Sequence, residues 1–347
     1  MGLLLVELGL RYFSLPDVYQ WDKRLMFFTE GPVFKNKAWG GFVYEPKARI
    51  LSRTYYITDL NGPHLEKEYE YEVTTNSFGL VQLADISASR PSILLLGNSY
   101  TEGQGAPPWF YQLERRWPKT SYQLINGGIL GTGFEAWKRL FDDLAAASVI
   151  KKIVIIFISS DWTRPVWQFS PQALACLQSA EQCSDTDYFY GLPEGRRSAE
   201  EINRIARQRV AYIRDKTSVL KDSAIYQRLL RPAYHRWSPY SNGDEELQFE
   251  KSQAAILKMV RDVGHQNILL IQLPQKNELS SGPDVLGTRG KHFIHANGFQ
   301  FVDGFTACGM EKTDFHLHDG HPNAQGYNKI DQCVERSITA TFGFSEN

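Results

Sequence analysis

Residues 93–103, which read ILLLGNSYTEG, decide the fold of this chain. An apolar run that ends in a glycine predicts a strand buried on both faces, as in the middle of a parallel sheet. Such a strand would deliver Ser99 onto a tight turn between Gly97 and Gly103, at the carboxyl edge of the sheet. A nucleophilic hydroxyl needs this position, exposed and beside free backbone N–H groups, but a serine there can also act only as a turn or cap residue.

The sequence on either side of this stretch repeats the pattern, because each short apolar run is followed by a loop and a helical segment. The predicted strands are Ser92–Leu96, Tyr122–Ile125, Ile153–Ile158, Ile268–Leu273 and Phe299–Val302. The predicted helices are Trp109–Arg116, Phe134–Ala147, Glu246–Val263 and Asn323–Thr341. Buried strands that alternate with helices predict a doubly wound α/β fold, with a mainly parallel five-stranded sheet and helices on both faces.

Two regions stand outside this alternation. Residues 13–90 contain alternating segments such as Tyr69–Val73, which predict a small β-rich preface packed on the main domain of residues 91–342. Residues 162–244, between the third and fourth strands, predict a partly helical insertion. Because insertions at the carboxyl ends of strands usually shape a binding cleft, we expect this one to border the functional site.

The first twelve residues are mostly apolar and begin MGLLLVELGL. This run is too short to span a bilayer, and it lacks the basic segment of a signal peptide. Two readings stay open. The segment is either the remnant of an N-terminal signal anchor or a short amphipathic helix packed on the domain.

Composition and charge narrow the class of protein. Of the 347 residues, 42% are hydrophobic and 22% are charged, and the net charge is −1, which is ordinary for a globular protein. Nucleic acid is not the expected partner, because phosphate binding needs a concentrated positive surface. The four cysteines form two local pairs, Cys176 with Cys183 and Cys308 with Cys333. They fit two disulfides and an oxidising, extracytoplasmic compartment; the alternative is four buried thiols in the cytosol.

Two more strand ends carry polar or glycine-rich segments. Residues 124–133, LINGGILGTG, combine a strand with glycines that let backbone N–H groups face a ligand. This spacing is not that of a dinucleotide or phosphate loop, so a backbone oxyanion donor or a simple tight turn is the better interpretation. After the third strand come Ser159, Ser160 and Asp161, whose side chains either donate to a developing oxyanion or cap the next segment.

The C-terminal motif is HLHDGHPNAQGY, residues 316–327. A histidine on a glycine turn before a proline can point back over the sheet edge, and Asp319 lies close enough in sequence to orient His321. A histidine with a carboxylate is the minimum needed to activate a serine hydroxyl, although a surface histidine in a capped turn would look the same. The histidine spacing does not match that of a dinuclear metal hydrolase, so we expect no metal.

Taken in order, these four motifs resemble the blocks of the SGNH (GDSL-like) hydrolase superfamily. The resemblance covers about Pro91 to Phe342, excluding most of the insertion. It implies a flavodoxin-like fold in which Ser99 is the nucleophile, His321 the general base and Asp319 the residue that orients His321. It also implies an oxyanion hole built from the backbone N–H groups of Ser99 and Gly128, with Ser160 as a further donor.

Three positions depart from the family pattern. Asn98 replaces an aspartate that the family does not use as its triad acid, so this change is tolerable. The last block is one residue shorter than the common form, which leaves Asp314 as a second candidate for the acid. In the third block Ser160 stands where the family has an asparagine whose amide donates to the oxyanion, and loss of one such donor typically costs about 2.7–4 kcal/mol.

The resemblance implies a serine-dependent esterase or acyltransferase that needs no metal or organic cofactor. The chain is most similar to an envelope-facing branch related to polysaccharide O-acetylesterases and O-acetyltransferases. This resemblance implies that the substrate is an ester-bearing small molecule or polysaccharide. It also implies that the full-length protein is extracytoplasmic and anchored to the membrane. Trp109, Trp162 and Trp167 are predicted either to line the cleft or to pack in the core. The alternative function is a weakened module that binds glycan without turnover, which the missing asparagine favours.

Overall fold

Five parallel strands form the central sheet of the molecule. The computed structural model describes residues 23–29, 31–58, 64–117, 122–183, 192–193, 199–216 and 239–344, so the predicted anchor remnant lies outside the described residues. The sheet strands are β6 (Pro91–Gly97), β7 (Gln123–Gly128), β8 (Val149–Phe157), β10 (Ile268–Gln272) and β11 (Gln300–Asp303). Their spatial order is β11-β10-β8-β6-β7, with every pair parallel. This is the flavodoxin-like order with one switch point, and it confirms the predicted fold class.

Helices cover both faces of this sheet. The described helices are α1 (Ser99–Glu102), α2 (Phe110–Arg116), α3 (Phe134–Ala145), α4 (Pro171–Gln178), α5 (Ala199–Lys216), α6 (Pro239–Val263), α7 (Val285–Ala296), α8 (Gly304–Ala307) and α9 (Ala324–Phe342). Alternate residues of each strand point to opposite faces. Along β6, Leu94 and Leu96 join the core shared with α3 and α6, whereas Ile93 and Leu95 join the core shared with α2 and α9.

The β-rich preface consists of two small sheets. The strands are β1 (Arg24–Phe28), β2 (Phe34–Asn36), β3 (Phe42–Tyr44), β4 (Arg49–Ile57), β5 (Leu65–Thr74) and, from the insertion, β9 (Leu192–Pro193). One sheet has the order β5-β4-β1-β9 and the other is the β2-β3 pair. Phe42, Tyr44 and Tyr71 are buried in the same core cluster as Leu94 of the central sheet, so the preface and the main domain share a core.

Both cysteine pairs form disulfides, as predicted. Cys176 in α4 is bonded to Cys183, and Cys308, just after α8, is bonded to Cys333 in α9. The second bond closes a chain segment of 25 residues that contains Asp319 and His321. Within the described ranges no helix has both the length and the apolar character needed to cross a bilayer.

Candidate active site

Ser99 begins the short helix α1 directly after β6. The turn is fixed by Asn98, whose side-chain oxygen accepts a hydrogen bond from the Tyr100 N–H at 2.7 Å. The amide nitrogen of Asn98 donates to Asp161 at 2.6 Å, which ties the turn to the end of β8. Gly103 ends the helix in the left-handed region at φ 98°, where a glycine is favoured. The strand and the two caps therefore aim the Ser99 hydroxyl at the carboxyl edge of the sheet.

The Ser99 hydroxyl meets the imidazole of His321. Nε2 of His321 lies 2.8 Å from Oγ of Ser99, and Nδ1 lies 2.6 Å from Oδ1 of Asp319. Ser99 is only 6% exposed, His321 5% and Asp319 2%. An ionised carboxylate can only accept, so Nδ1–H donates to Asp319 and leaves the Nε2 lone pair free to accept the Ser99 proton.

Two residues of the preface hold the other carboxylate oxygen of Asp319. The Tyr69 hydroxyl, on β5, donates to Oδ2 at 2.7 Å, and Nη1 of Arg24, on β1, lies 3.5 Å from the same atom. Burial alone would raise the pKa of Asp319, but the attraction and hydrogen bond of His321, together with Arg24 and Tyr69, hold that pKa well below its usual range. Asp319 is therefore ionised whenever the protein is folded near neutral pH.

Asp314, the second candidate for the acid, has other partners. Its Oδ2 accepts from the Lys329 ammonium at 2.7 Å and from the Glu311 N–H at 2.6 Å. These bonds join α9 to the turn Lys312–Asp314. That turn precedes residues 315–323, which carry Asp319 and His321 and form the proposed catalytic segment. The His321 imidazole contacts Asp319 instead.

Gly128 does not lie where the sequence analysis placed it. Its N–H donates to the Asn126 side chain at 3.0 Å, and a Cβ at this position would overlap the backbone of Thr101 and Glu102. Gly128 therefore allows β7 to pack closely against α1 and has no donor to offer a substrate. Gly131, three residues further on, lines the cavity beside Ser99 and has φ 68°. Among the described residues its N–H has no hydrogen-bond partner.

Ser160 lies between two side chains of the cavity wall. Its hydroxyl accepts from Nη2 of Arg164 at 3.2 Å and is 3.4 Å from Oε1 of Gln275. Arg164 also lies 3.0 Å from Asp161, a carboxylate whose pKa is raised by burial despite the attraction of Arg164. Ser160 is not itself among the residues that line the cavity, whereas Arg164 and Gln275 are. Gln275, from the loop after β10, thus places a side-chain amide on the cavity wall next to Ser160.

A cavity of about 660 Å³ opens over Ser99 and His321. Trp167 lines it, and the Trp167 indole N–H donates to the carbonyl of Gly131 at 3.0 Å. The cleft-lining position expected for the other two tryptophans is wrong. Trp109 is buried under α1, where its indole donates to the Tyr100 carbonyl, and Trp162 is buried with its ring centroid 4.4 Å from that of Phe134. Both belong to the buried core clusters and are not available to a ligand.

The other histidines of the C-terminal motif have partners of their own. Nε2 of His316 lies 2.9 Å from the Gly105 carbonyl oxygen, and burial lowers the pKa of His316. The backbone N–H of His318 donates to Glu68 at 2.8 Å. In the part of the chain that the structure describes, no cluster of three histidine, cysteine or carboxylate side chains has the arrangement of a metal site.

Comparison with known proteins gives structural likeness at low sequence identity. No protein-family model matches the chain, and no curated protein matches it. A lipase/acylhydrolase from Enterococcus faecalis is 13% identical over 72% of this chain and 96% of its own, with a TM-score of 0.39. A GDSL-like lipase from Bacteroides thetaiotaomicron is 14% identical over 72% and 88%, with a TM-score of 0.31. A variant of an acetyl xylan esterase from Geobacillus stearothermophilus is 13% identical over 73% and 96%, with a TM-score of 0.34.

Likeness at this level does not decide an activity.

A buried carboxylate, that of Glu102, is hydrogen-bonded to the loop that carries Gly131. Glu102, in α1, accepts from the Tyr44 hydroxyl at 2.6 Å and from the Leu130 N–H at 2.7 Å. Burial raises the pKa of Glu102 to about 7, against the two hydrogen bonds, which lower it. Glu102 thus joins α1, the preface and the loop that carries Gly131.

Several residues of the site could not be singled out from the sequence, among them Arg24, Tyr69, Gln275 and Gly131. Gly131 carried a readable signal, since a glycine at the end of a strand-to-helix loop is the residue type that adopts a positive φ. Arg24, Tyr69 and Gln275 carried none. They reach the site only because the preface and the loop after β10 fold against the sheet edge.

Proposed function

We propose that this chain is a serine esterase or acyltransferase of the SGNH type. The observation that carries the proposal is the unbroken hydrogen-bonded path from Asp319 through His321 to Ser99, with heavy-atom distances of 2.6 and 2.8 Å. These distances lie in the range in which a base accepts a proton from a nucleophile. The path lies at the floor of a cavity large enough for a small ester.

The first step is acylation. The Ser99 hydroxyl attacks the ester carbonyl while its proton passes to Nε2 of His321, and Asp319 stabilises the imidazolium through Nδ1–H. The backbone N–H groups of Ser99 and Gly131 are the donors assigned to the tetrahedral oxyanion, in place of Gly128. Collapse of the intermediate breaks the bond to the alcohol, which leaves with the proton from His321, and Ser99 keeps the acyl group.

The second step releases the acyl group. Water, or a hydroxyl of a bound sugar, enters where the alcohol left and gives its proton to His321 as it attacks the Ser99 ester. The oxyanion donors act again, and Ser99 recovers its proton. Water as acceptor makes the protein an esterase, and a sugar hydroxyl makes it an acyltransferase.

The proposed substrate is an ester, above all an O-acetyl group, on a cell-envelope carbohydrate. The indole of Trp167 on the cavity wall supports a sugar, because aromatic faces pack well against pyranose rings. The two disulfides support an extracytoplasmic location. Anchoring of the full-length protein through an N-terminal segment remains part of this proposal.

Labelling with a fluorophosphonate and hydrolysis of para-nitrophenyl acetate test the chemistry. The wild-type protein is expected to be labelled at Ser99 and to turn over, whereas Ser99→Ala should lose roughly 10⁶-fold in kcat, as expected for residues that act as a unit. Ser89→Ala, at an exposed serine of the loop before β6, is the matched control. Full activity in Ser99→Ala would exclude Ser99 as the nucleophile. A wild-type protein that resists labelling and does not hydrolyse the ester would favour a binding module. Mass spectrometry of the products formed with an added sugar acceptor separates transfer, which gives an acetylated sugar, from hydrolysis, which gives acetate.

A further inference from the structure

The cavity over Ser99 has a cationic wall. Its lining includes Arg24, Arg164, Lys276 and Lys312, and Asp319 is the single carboxylate of that lining among the residues that the structure describes. The Asp319 carboxylate is hydrogen-bonded to His321, and its one negative charge does not neutralise the four cations of the wall. A cavity of this kind raises the local concentration of anions and repels cations.

Two of these cations already have carboxylate partners. Arg24 lies 3.5 Å from Asp319, and Arg164 lies 3.0 Å from the buried Asp161. Their charges hold the catalytic segment and the end of β8 in place. The charge left for a ligand therefore comes from Lys276 and Lys312.

Lys276 and Lys312 have no carboxylate within ion-pairing distance among the described residues. The Lys276 ammonium donates to the carbonyl oxygens of His316 and Leu317, at 2.6 and 2.7 Å, which satisfies hydrogens but not charge. Lys312 is exposed on the turn that precedes the catalytic segment. Glu68 is the acid that attracts Lys276 most, but it accepts from the His318 N–H and does not line the cavity.

We infer that the substrate carries an anionic group, a carboxylate or a phosphate, which binds Lys276 and Lys312 while its ester reaches Ser99. The inference rests on the proposed esterase function and names the substrate class of the same site. An ammonium with two hydrogens on backbone carbonyls keeps a third for a ligand oxygen. Lys312 adds a second positive charge to the lining of the same cavity, so an anionic group gains a Coulomb attraction there that a neutral hydroxyl does not.

Three acetate esters on the same aromatic ring test the charge of the substrate. Para-acetoxybenzoate carries a carboxylate, para-acetoxyphenyl phosphate carries a phosphate, and methyl para-acetoxybenzoate is neutral. Each kcat/KM is divided by the uncatalysed hydrolysis rate of that ester. We expect at least one anionic ester to exceed the neutral ester by about tenfold, with a ratio that falls as sodium chloride is added. The better of the two anionic esters identifies the group.

Lysine variants assign the preference to the wall. Lys312→Met and Lys276→Met are each expected to lower the anionic-to-neutral ratio several-fold. Lys312 is exposed, so Lys312→Met keeps the test valid if Lys276→Met fails to fold. Lys151→Met, at the amino end of β8 and so at the opposite edge of the sheet, should leave the ratio unchanged.

The outcomes separate this inference from the function on which it rests. A wild-type ratio of one or less, or a ratio that both lysine variants leave unchanged, overturns the anionic substrate while the esterase stands. A protein that cleaves none of the three esters and resists fluorophosphonate overturns the proposed function, and the inference with it.

Discussion

Glu102 shows how one buried side chain couples the site to pH. The group lies inside the protein with hydrogen bonds from Tyr44 and Leu130, and burial raises its pKa from 4.5 to about 7. Because the folded-state pKa is above the unfolded value, the stability that the protonated carboxyl contributes is complete below about pH 4.5. It is lost as the pH rises through about 7.

Glu102→Gln should therefore flatten the pH dependence of stability. The isosteric amide cannot ionise, so between pH 5 and pH 8 the free energy of unfolding of the wild type should fall relative to the variant. The expected relative change is about 3 kcal/mol at most, since one pKa unit corresponds to about 1.4 kcal/mol. Urea unfolding of both proteins at several pH values measures it, with the exposed Glu250→Gln as control. Parallel profiles for wild type and Glu102→Gln would contradict this account.

Single residues also show which parts of the site could be predicted from the sequence and which could not. The meeting of Ser99, His321 and Asp319 could be predicted because each lies in a short, recognisable motif. Gly128 was chosen for a role that its position rules out, since its N–H is already used by Asn126. Local sequence shows that a glycine loop is present, but which N–H remains free depends on side chains that fold over it.

At the scale of elements, strand β5 of the preface contributes a side chain to the proposed catalytic site. The Tyr69 hydroxyl donates to Oδ2 of Asp319 and accepts from the Gln104 side chain at 3.2 Å. Tyr69 touches no reacting atom, so it is a positioning residue that acts through Asp319 and His321. Without it, Asp319 would lose one of the donors that hold it ionised and correctly oriented.

Tyr69→Phe tests this link between preface and triad. We expect kcat for an aryl acetate to fall about tenfold with little change in KM, because the hydrogen bond to a charged group contributes about 1.5–3 kcal/mol. The acid side of the pH–rate profile should also change, since Tyr69 is one of the groups that hold the pKa of Asp319 low. Tyr55→Phe, on the neighbouring strand β4, is the control. A variant with the wild-type profile would show that Tyr69 is only structural.

Helix α7 is a twelve-residue helix that could not be predicted from the sequence. Its sequence, VLGTRGKHFIHA, contains two glycines, which lower helix propensity and hide the pattern. The structure explains them by packing: a Cβ at Gly287 would overlap Ser159, and one at Gly290 would overlap the Trp162 indole. The five strands were readable from their apolar runs alone, but this close helix contact exists only in three dimensions.

Gly290→Ala is therefore expected to destabilise the protein, against its helix propensity. In an open helix the change would stabilise by roughly 1 kcal/mol. Here the added methyl meets Trp162, and overpacking of this kind typically costs about 1–3 kcal/mol. Chemical unfolding measures the sign directly. The exposed His292→Ala in the same helix should stay within about 0.5 kcal/mol of wild type. A Gly290→Ala protein more stable than wild type would show that propensity outweighs packing.

On the scale of the whole molecule, the site is assembled from parts far apart in sequence. Ser99 comes from the central sheet, Asp319 and His321 from the C-terminal segment, and Tyr69 from the preface. Motif order and strand rhythm predicted that the first three would meet, because the carboxyl ends of parallel strands share one edge. The contribution of the preface could not be predicted, since nothing in its alternating pattern says which face meets the catalytic segment.

The disulfide between Cys308 and Cys333 holds the C-terminal part of this assembly. It closes the 25-residue segment that contains Asp319 and His321, whereas Cys176–Cys183 closes only 7 residues in the insertion. A bond that closes a longer loop removes more entropy from the unfolded chain. Stability should therefore depend more on Cys308–Cys333 than on Cys176–Cys183.

Replacing each pair by alanine compares the two bonds. Cys308→Ala with Cys333→Ala should lower the free energy of unfolding by about 3.5 kcal/mol, and Cys176→Ala with Cys183→Ala by about 2.4 kcal/mol, as loop-closure entropy gives. The first pair should also slow fluorophosphonate labelling of Ser99, because a looser segment presents His321 less often in its productive position. The second pair, remote from the triad in sequence, serves as the control for labelling. Equal losses of stability with unchanged labelling would mean that the segment is held by its packing against α9 alone.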